Sequence, residues 1–135
     1  MNKFHLTVVT PKGIFLDQEV EELYLKTSIG YMGILAKHDT LLTGVEIAPG
    51  FIKTLNKKEY YAIFNGVINI TKDGVRLIVS NIEHADSIDV ERAKRAHERA
   101  LERLKKKGEG IDVKRAELAL KRAITRIASS QKELL

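Results

Sequence analysis

The chain has 135 residues, 44% of them hydrophobic, which is enough for one compact domain or a small domain with an appendage and too few for a fibre or a membrane protein. It contains no cysteine, which excludes disulfides and thiolate metal sites and fits a reducing compartment. Its net charge of +5 is lopsided: residues 1–87 carry −1 and residues 88–135 carry +6, with seven of the eight arginines in the second part.

No secretory signal pattern follows Met1-Asn2-Lys3-Phe4-His5, and the longest apolar runs fall far short of a membrane span. Residues 3–80 read as short strands separated by turn signals. Phe4, Leu6 and Val8 alternate with His5, Thr7 and Val9 until Pro11-Lys12-Gly13 breaks the run. Ile14-Phe15-Leu16 is brief, and Val20 to Lys26 forms the next extended segment. Tyr60 to Phe64 and Val67 to Thr71 flank Asn65-Gly66, a pair suited to a type I′ hairpin turn. Val67 to Thr71 and Val75 to Ser80 flank a second turn, Lys72-Asp73-Gly74. Strands at this spacing indicate an antiparallel sandwich or flattened barrel.

One segment of this body is not plain strand. Gly30-Tyr31-Met32-Gly33-Ile34-Leu35 puts two glycines around Tyr31 and Met32, which are expected to be buried in their own domain unless a partner covers them, and a polar loop with His38-Asp39 follows. The glycines permit a bulge or a close backbone approach. No serine or cysteine nucleophile accompanies His38, so it reads as a loop histidine.

The end of the chain uses one phrase twice: Ile88-Asp89-Val90-Glu91-Arg92-Ala93 returns 23 residues later as Ile111-Asp112-Val113-Lys114-Arg115-Ala116. Asp89 and Asp112 suit helix N-caps, and Ile88–Ala93 and Ile111–Ala116 have hydrophobic-staple spacing. Two antiparallel helices are predicted, joined by Lys105-Lys106-Lys107-Gly108-Glu109-Gly110. Their facing stripes, Ala93, Ala96, Ala100 and Leu104 against Ala116, Leu120, Ala123 and Ile127, are mostly alanine. At about 25 cal/mol per Å² such stripes bury little, so the hairpin reads as weakly docked and a candidate moving part.

Arg92 and Arg99 are seven residues apart, as are Arg115 and Arg122, with Arg126 one turn later. Seven residues return to nearly the same helix face, so folding the hairpin can gather Arg99, Arg122 and Arg126 around an anion. Surface pairing with Glu91, Glu98, Glu102 and Glu117 is the simpler expectation from spacing alone. No Walker loop, dinucleotide fingerprint, metal-ligand histidine spacing or nucleophile–base set is present. Composition and pattern alone therefore describe a β-rich body with a basic helical hairpin.

Several stretches together resemble the epsilon subunit of the F-type, proton-translocating ATP synthase. They are Val8-Val9-Thr10-Pro11-x-Gly13, Gly33-Ile34-Leu35-x-x-His38, Asn65-Gly66-Val67-Ile68-Asn69-Ile70, Ile88-Asp89-x-x-Arg92-Ala93 and Ala116-Glu117-Leu118-Ala119-Leu120-Lys121-Arg122-Ala123. Their order covers essentially the whole chain. The resemblance implies an α+β fold: a ten-stranded sandwich over residues 1–85, then a regulatory two-helix hairpin over residues 86–135.

It further implies a non-catalytic subunit of the rotor stalk, peripheral on the cytoplasmic face of a bacterial membrane without inserting into it. The implied partners are the gamma subunit and the c-subunit ring, and the alpha/beta hexamer when the hairpin extends to resist ATP hydrolysis. Tyr31, Met32, Gly33 and His38 become the candidates for the ring contact. The loop departs from the family at Ala36 and Thr40, where prolines are common. Some bacterial members bind ATP on the folded hairpin as a regulatory ligand. The positions carried over are Glu83, Ile88, Asp89, Arg92, Ala93, Arg99, Arg122 and Arg126, with the carboxylates toward the adenine or ribose and the arginines toward the phosphates. No resident cofactor or metal is implied. The alternative is a nucleic-acid-binding module built on the basic hairpin, but all eight aromatic residues precede residue 65, leaving no base-stacking groups among the arginines.

Overall fold

A computed structural model describes residues 2–106, 110 and 112–135. Ten strands come first: β1 Phe4–Thr10, β2 Gly13–Val20, β3 Glu22–Thr27, β4 Gly30–Ile34, β5 Leu41–Val45, β6 Ala48–Lys53, β7 Lys58–Ile63, β8 Gly66–Thr71, β9 Gly74–Val79 and β10 Ile82–His84. A 3₁₀ turn, Ala85–Ser87, leads into helices α1 Val90–Lys105 and α2 Val113–Ser130. This is the α+β arrangement read from the sequence. The predicted inter-helix turn falls largely outside the described residues, as does Ile111 of the second staple.

The strands hydrogen-bond in the order β10-β7-β6-β3-β5-β8-β9-β1-β2, with β4 added to β3. β3 hands over to β5 through a single residue pair, Thr27 and Val45, which lets the ladder bend and close its two halves on each other. Period-two alternation sends Leu6, Val8, Ile68 and Leu77 of one half and Leu23, Leu25, Ile52 and Ile63 of the other into a shared core. Most neighbours are antiparallel, as expected, but β1 and β9 run parallel, Leu6 to Val9 beside Val75 to Ile78. They are not joined by a hairpin, and both begin at the end of the sandwich that holds the β8–β9 turn.

Three hairpins share one turn design: Thr10 to Gly13, Thr27 to Gly30 and Thr71 to Gly74. In each, the threonine hydroxyl accepts from the backbone N–H two residues on and donates to the glycine carbonyl. The closing glycines have φ of 117°, 112° and 147°, values that a side chain resists. The predicted turn at Lys72-Asp73-Gly74 is one of these.

Asn65-Gly66 is not a hairpin turn. β7 pairs with β6 and β10, whereas β8 pairs with β5 and β9, so the chain crosses at this point from one half of the sandwich to the other. Gly66 is required by contact: a Cβ there would lie 1.9 Å from the Ile78 carbonyl oxygen. The predicted extended segment from Val20 to Lys26 is also divided, because β2 runs on to Val20 and β3 begins at Glu22.

Asp89 and Asp112 cap the helices, each accepting from the N–H three residues on, Arg92 at 3.1 Å and Arg115 at 3.0 Å. Ile88 does more than staple α1, since it packs against Ile47, Ala62 and Phe64 of the sandwich. α2 is the middle layer, meeting α1 on one side and β6 and β7 on the other. Ala93 and Ala100 of α1 and Ala116 and Ala123 of α2 are buried, as the stripes predicted. Toward the sheet α2 presents Thr125, Ala128 and Ser129. Ser129 donates to the Tyr61 carbonyl at 3.2 Å, whereas the buried Thr125 Oγ1 has no partner among the described residues.

Candidate functional site

Where β10 runs into α1, the chain builds a cleft of about 590 Å³, within the span of small-molecule sites. β10 supplies Glu83 to its wall. The 3₁₀ turn is held by His84, whose Nδ1 accepts from the Asp86 N–H at 3.1 Å and whose carbonyl accepts from the Ser87 hydroxyl at 2.8 Å. That arrangement makes Nε2 the donor of the ring, and it meets Glu59 at 2.5 Å. The turn thereby fixes where α1 starts. Ile88 and the N-cap Asp89 follow, then Arg92, Ala93 and Arg99 of α1, and Arg126 enters from α2.

Seven of the eight positions carried over from the resemblance line this one cleft; Arg122, a turn before Arg126, does not. Ser87 and Ala96 also line it and were missed, although Ala96 belongs to the alanine stripe. The arginines differ in their partners. Arg126 is paired with Glu83 through two bonds, Nε to Oε1 at 2.9 Å and a terminal nitrogen to Oε2 at 3.0 Å. Its Cζ stands 4.8 Å from the Phe64 ring centroid. Arg92, Arg99 and Arg122 have no ion pair among the described residues, so the expected pairing with Glu91, Glu98, Glu102 and Glu117 does not occur; Glu91 instead meets Lys94 at 4.0 Å. Glu83 was expected to face a ligand, but both of its oxygens already accept from Arg126, and Oε2 also accepts from Asn81 Nδ2 at 3.0 Å.

The residues read as a ring contact are divided: Tyr31 and Gly33 share the face of β4 that carries Tyr24, Met32 faces the core, and His38 is in the loop that follows. Met32 packs against the sandwich core. Tyr31 stacks on Tyr24 with centroids 5.2 Å apart, donates to the Pro49 carbonyl at 2.9 Å and accepts from the Leu135 N–H at 3.4 Å. The chain itself therefore half-buries Tyr31. Gly33 lies under the Tyr24 ring, 3.5 Å from where a Cβ would stand. His38 is in the loop before β5, donating from Nδ1 to the Asp39 carbonyl at 2.9 Å, next to Lys37, which has φ 64°. Leu35 of that loop is 55% exposed.

A second surface carries an apolar row that the sequence reading did not single out. Register places Val67 of β8, Ile78 of β9, Val9 of β1 and Ile14 of β2 side by side across four strands. Ile14 is 66% exposed, and Val67 and Ile78 are also open to solvent. This row stands on the half of the sandwich away from β6 and β7, where α2 docks.

Residues 3–85 match the family described as ATP synthase, Delta/Epsilon chain, beta-sandwich domain, and residues 86–131 match its long alpha-helix domain. The chain belongs to the ATP synthase epsilon family. It is 36% identical over 107 residues to the ATP synthase epsilon chain of Mycoplasma mobile, covering 78% of this chain and 76% of that one. It is 37% identical over 105 residues to the epsilon chain of Thermodesulfovibrio yellowstonii, covering 78% and 75%. Its fold is also that of a chain in the mitochondrial ATP synthase of Euglena gracilis, with a TM-score of 0.80, 23% identity, and 90% of this chain and 77% of that chain covered. These relatives give no support to a nucleic-acid module. Among the described residues no helix is long and apolar enough to cross a membrane.

Proposed function

We propose that this epsilon-family chain is a non-catalytic rotor-stalk subunit whose helical hairpin restrains ATP hydrolysis when extended, and that ATP bound in the α1 cleft holds the hairpin docked. One observation carries the reading: a cleft at the sandwich–hairpin junction is lined by Arg92 and Arg99, neither neutralised by a carboxylate among the described residues. Like charges gathered without partners suit a bound polyanion. The light packing of α2 on β6 and β7 leaves docking within reach of ligand control. Ligand at a hundredfold excess over its Kd adds about 2.7 kcal/mol to the bound state. Arg122, one turn before Arg126 on α2, is proposed as a further phosphate contact although it does not line the cleft.

The assemblies in which structural relatives occur support the proposed partners. The Euglena chain comes from an assembly described as OSCP/F1/c-ring, and a Tetrahymena thermophila relative, at TM-score 0.61 and 14% identity, from one described as central stalk/c-ring. In this chain the apolar row of Val67, Ile78, Val9 and Ile14 is the face for a gamma subunit. The loop end with Leu35 and His38 is the face for a c-subunit ring, on the cytoplasmic side of the membrane. The +6 charge of residues 88–135 suits an acidic surface of the catalytic hexamer when the hairpin extends.

Calorimetry of the full chain with ATP at millimolar concentration, together with cross-linking of the hairpin to the sandwich with and without ATP, tests the proposal. Heat of binding and ATP-dependent protection of the docked form are expected. A folded chain that gives neither heat nor a change in cross-linking would overturn it.

A further inference from the structure

His84 ends β10 and caps the 3₁₀ turn Ala85–Ser87, so it stands at the joint between sandwich and hairpin. Its two ring nitrogens do different things. Nε2 meets Glu59 of β7 at 2.5 Å, and Nδ1 accepts from the Asp86 N–H at 3.1 Å. A ring nitrogen accepts only while it carries no proton. The turn is therefore built on the neutral imidazole, with its one proton on Nε2. Two further bonds support the turn: the Ile88 N–H reaches the Ala85 carbonyl at 3.4 Å, and the Ser87 hydroxyl donates to the His84 carbonyl at 2.8 Å. Directly after it come Ile88, seated against Ile47, Ala62 and Phe64, and Asp89, the cap of α1. A change at the Asp86 N–H is thus felt where the first helix starts.

A second proton on the ring changes one contact and spares the other. Glu59 still accepts from Nε2, so the ring stays seated, edge-on to Tyr61 with centroids 5.1 Å apart. The new proton on Nδ1 points at the Asp86 N–H, donor against donor. An acceptor is at hand, because Asp86 Oδ2 lies 3.8 Å from Nδ1, and closing that gap draws residue 86 out of the turn. Three cations share the cleft beside this pair: Lys57 and Lys58 at the start of β7, and Lys132 beyond α2. Lys12 lines a second cleft with His84. These cations oppose added positive charge, so the imidazolium leans on Glu59 and Asp86. Glu83, the adjoining carboxylate on β10, is committed to Arg126.

We infer that His84 is an acid-sensitive latch for the hairpin: neutral, its Nδ1 holds the turn that starts α1, and protonated, it gives up that bond and frees the turn. One such hydrogen bond changes the docked population by about three- to tenfold. The latch rests on the proposed undocking of the hairpin and is independent of the ATP cleft.

The test follows the full chain, labelled with ¹⁵N, from about pH 8 to about pH 5, the interval in which an imidazole changes charge. At the upper end the His84 ring should carry its proton on Nε2. As the ring gains the second proton, the Asp86 amide resonance should shift with the same midpoint. Protection factors of α2 amides should fall about three- to tenfold over that step, while those of β1 and β9 hold. His84→Asn offers the Asp86 N–H an acceptor at every pH, so in that variant α2 should no longer respond. His5, His38 and His97 remain in it, and a response that survives belongs to one of them and overturns the latch. If the variant undocks outright, the wild-type resonances decide the matter. An Asp86 amide that ignores the His84 titration removes the latch. So does one that follows it while α2 keeps its protection, an outcome that leaves the moving hairpin to the cross-linking with and without ATP.

Discussion

Glu83 and Arg126, 43 residues apart in the chain, are joined by two parallel hydrogen bonds of 2.9 and 3.0 Å. One residue ends the sandwich and the other lies late in the last helix, so the pair ties the hairpin to the body at the mouth of the cleft. Its fork-to-carboxylate geometry is the strong form of such a contact. The side chains are 26% and 30% exposed, which places the pair between a solvent-screened surface bridge and a dry one.

Replacing Glu83 with alanine should therefore release the hairpin more than it unfolds the sandwich. The guanidinium of Arg126 would be left half-buried without its carboxylate, at a cost of about 1.5–3 kcal/mol. Amide exchange along α2 should accelerate by roughly tenfold or more, since each 1.4 kcal/mol is a factor of ten. Core strands β1 and β9 should keep their protection. Equal acceleration in α2 and in those strands would show that Glu83 supports the whole fold rather than docking.

Thr125 points the other way. Its hydroxyl is buried between α2 and the sheet and has no partner among the described residues. Thr125→Val keeps the shape and removes the orphaned hydroxyl, so docking should strengthen by about 1 kcal/mol. The readout is slower exchange in α2 and a lower requirement for ATP to protect the docked form. Faster exchange would mean that the hydroxyl serves the docked state in some other way.

Local chemistry was easy to read from the sequence and long-range pairing was not. The caps at Asp89 and Asp112 were legible because a cap needs only a short side chain and the next turn of helix. Thr71 to Gly74 was legible for the same reason. Asn65-Gly66 carries an equally strong local signal, yet the chain there crosses between halves of the sandwich. Its glycine answers to the Ile78 carbonyl, 12 residues away in sequence. The cleft was legible through the resemblance, which supplied seven of its lining positions. The pairing of Arg126 with Glu83 and Phe64 was not, because three residues from a strand, a corner and a helix meet only once the hairpin docks.

That account of Gly66 is open to measurement. A Cβ at this position strikes backbone, which cannot move aside as a flexible side chain can. Gly66→Ala should destabilise the sandwich by about 3 kcal/mol or more, at the upper end of what overpacking costs. Asn65→Ala, beside it, loses its 3.1 Å hydrogen bond from the Ser80 hydroxyl and should cost about 1 kcal/mol. Chemical denaturation of the two variants distinguishes contact from turn propensity. If the type I′ requirement were the reason for this pair, Asn65 would matter about as much as Gly66.

On the outer face of β1 and β2, His5 hydrogen-bonds to Asp17 and lies 3.4 Å from Glu19. The bond to Asp17 raises the His5 pKa above its ordinary value, and the same bond lowers that of Asp17. A raised histidine contributes stability that is complete below its unfolded pKa and fades as pH climbs through the raised folded value. A lowered aspartate contributes above its unfolded pKa and fades as pH falls through the lowered one. The pair should thus support the β1–β2 edge in the window between. Proton NMR of the His5 ring should give a midpoint above that of an exposed histidine, and Asp17→Asn should bring it down. An unchanged midpoint in that variant would dismiss the pairing.

Tyr61 is expected to set the alkaline limit of the fold. Its ring is 5% exposed and edge-on to both Phe15 and His84, with centroids 5.9 and 5.1 Å away. Burial, followed by the nearby negative charge of Glu59 and a hydrogen bond with it, pushes the phenol up to about 12. The folded state therefore favours the protonated phenol. Its contribution is complete below the unfolded value near 10 and is lost as pH rises from there through about 12. Discounted for solvent screening, a shift of this size contributes at most about 2 kcal/mol. Absorbance titration of the four tyrosines should show late-ionising groups, Tyr61 among them, coincident with loss of α2 helicity, because Ser129 of α2 hangs on the Tyr61 carbonyl. Tyr31 is also raised by burial, so Tyr61→Phe is needed to assign the step. That variant should lose the late phenolate and unfold at higher pH than the parent. If its alkaline midpoint matches the parent's, ionisation of Tyr61 does not limit the fold.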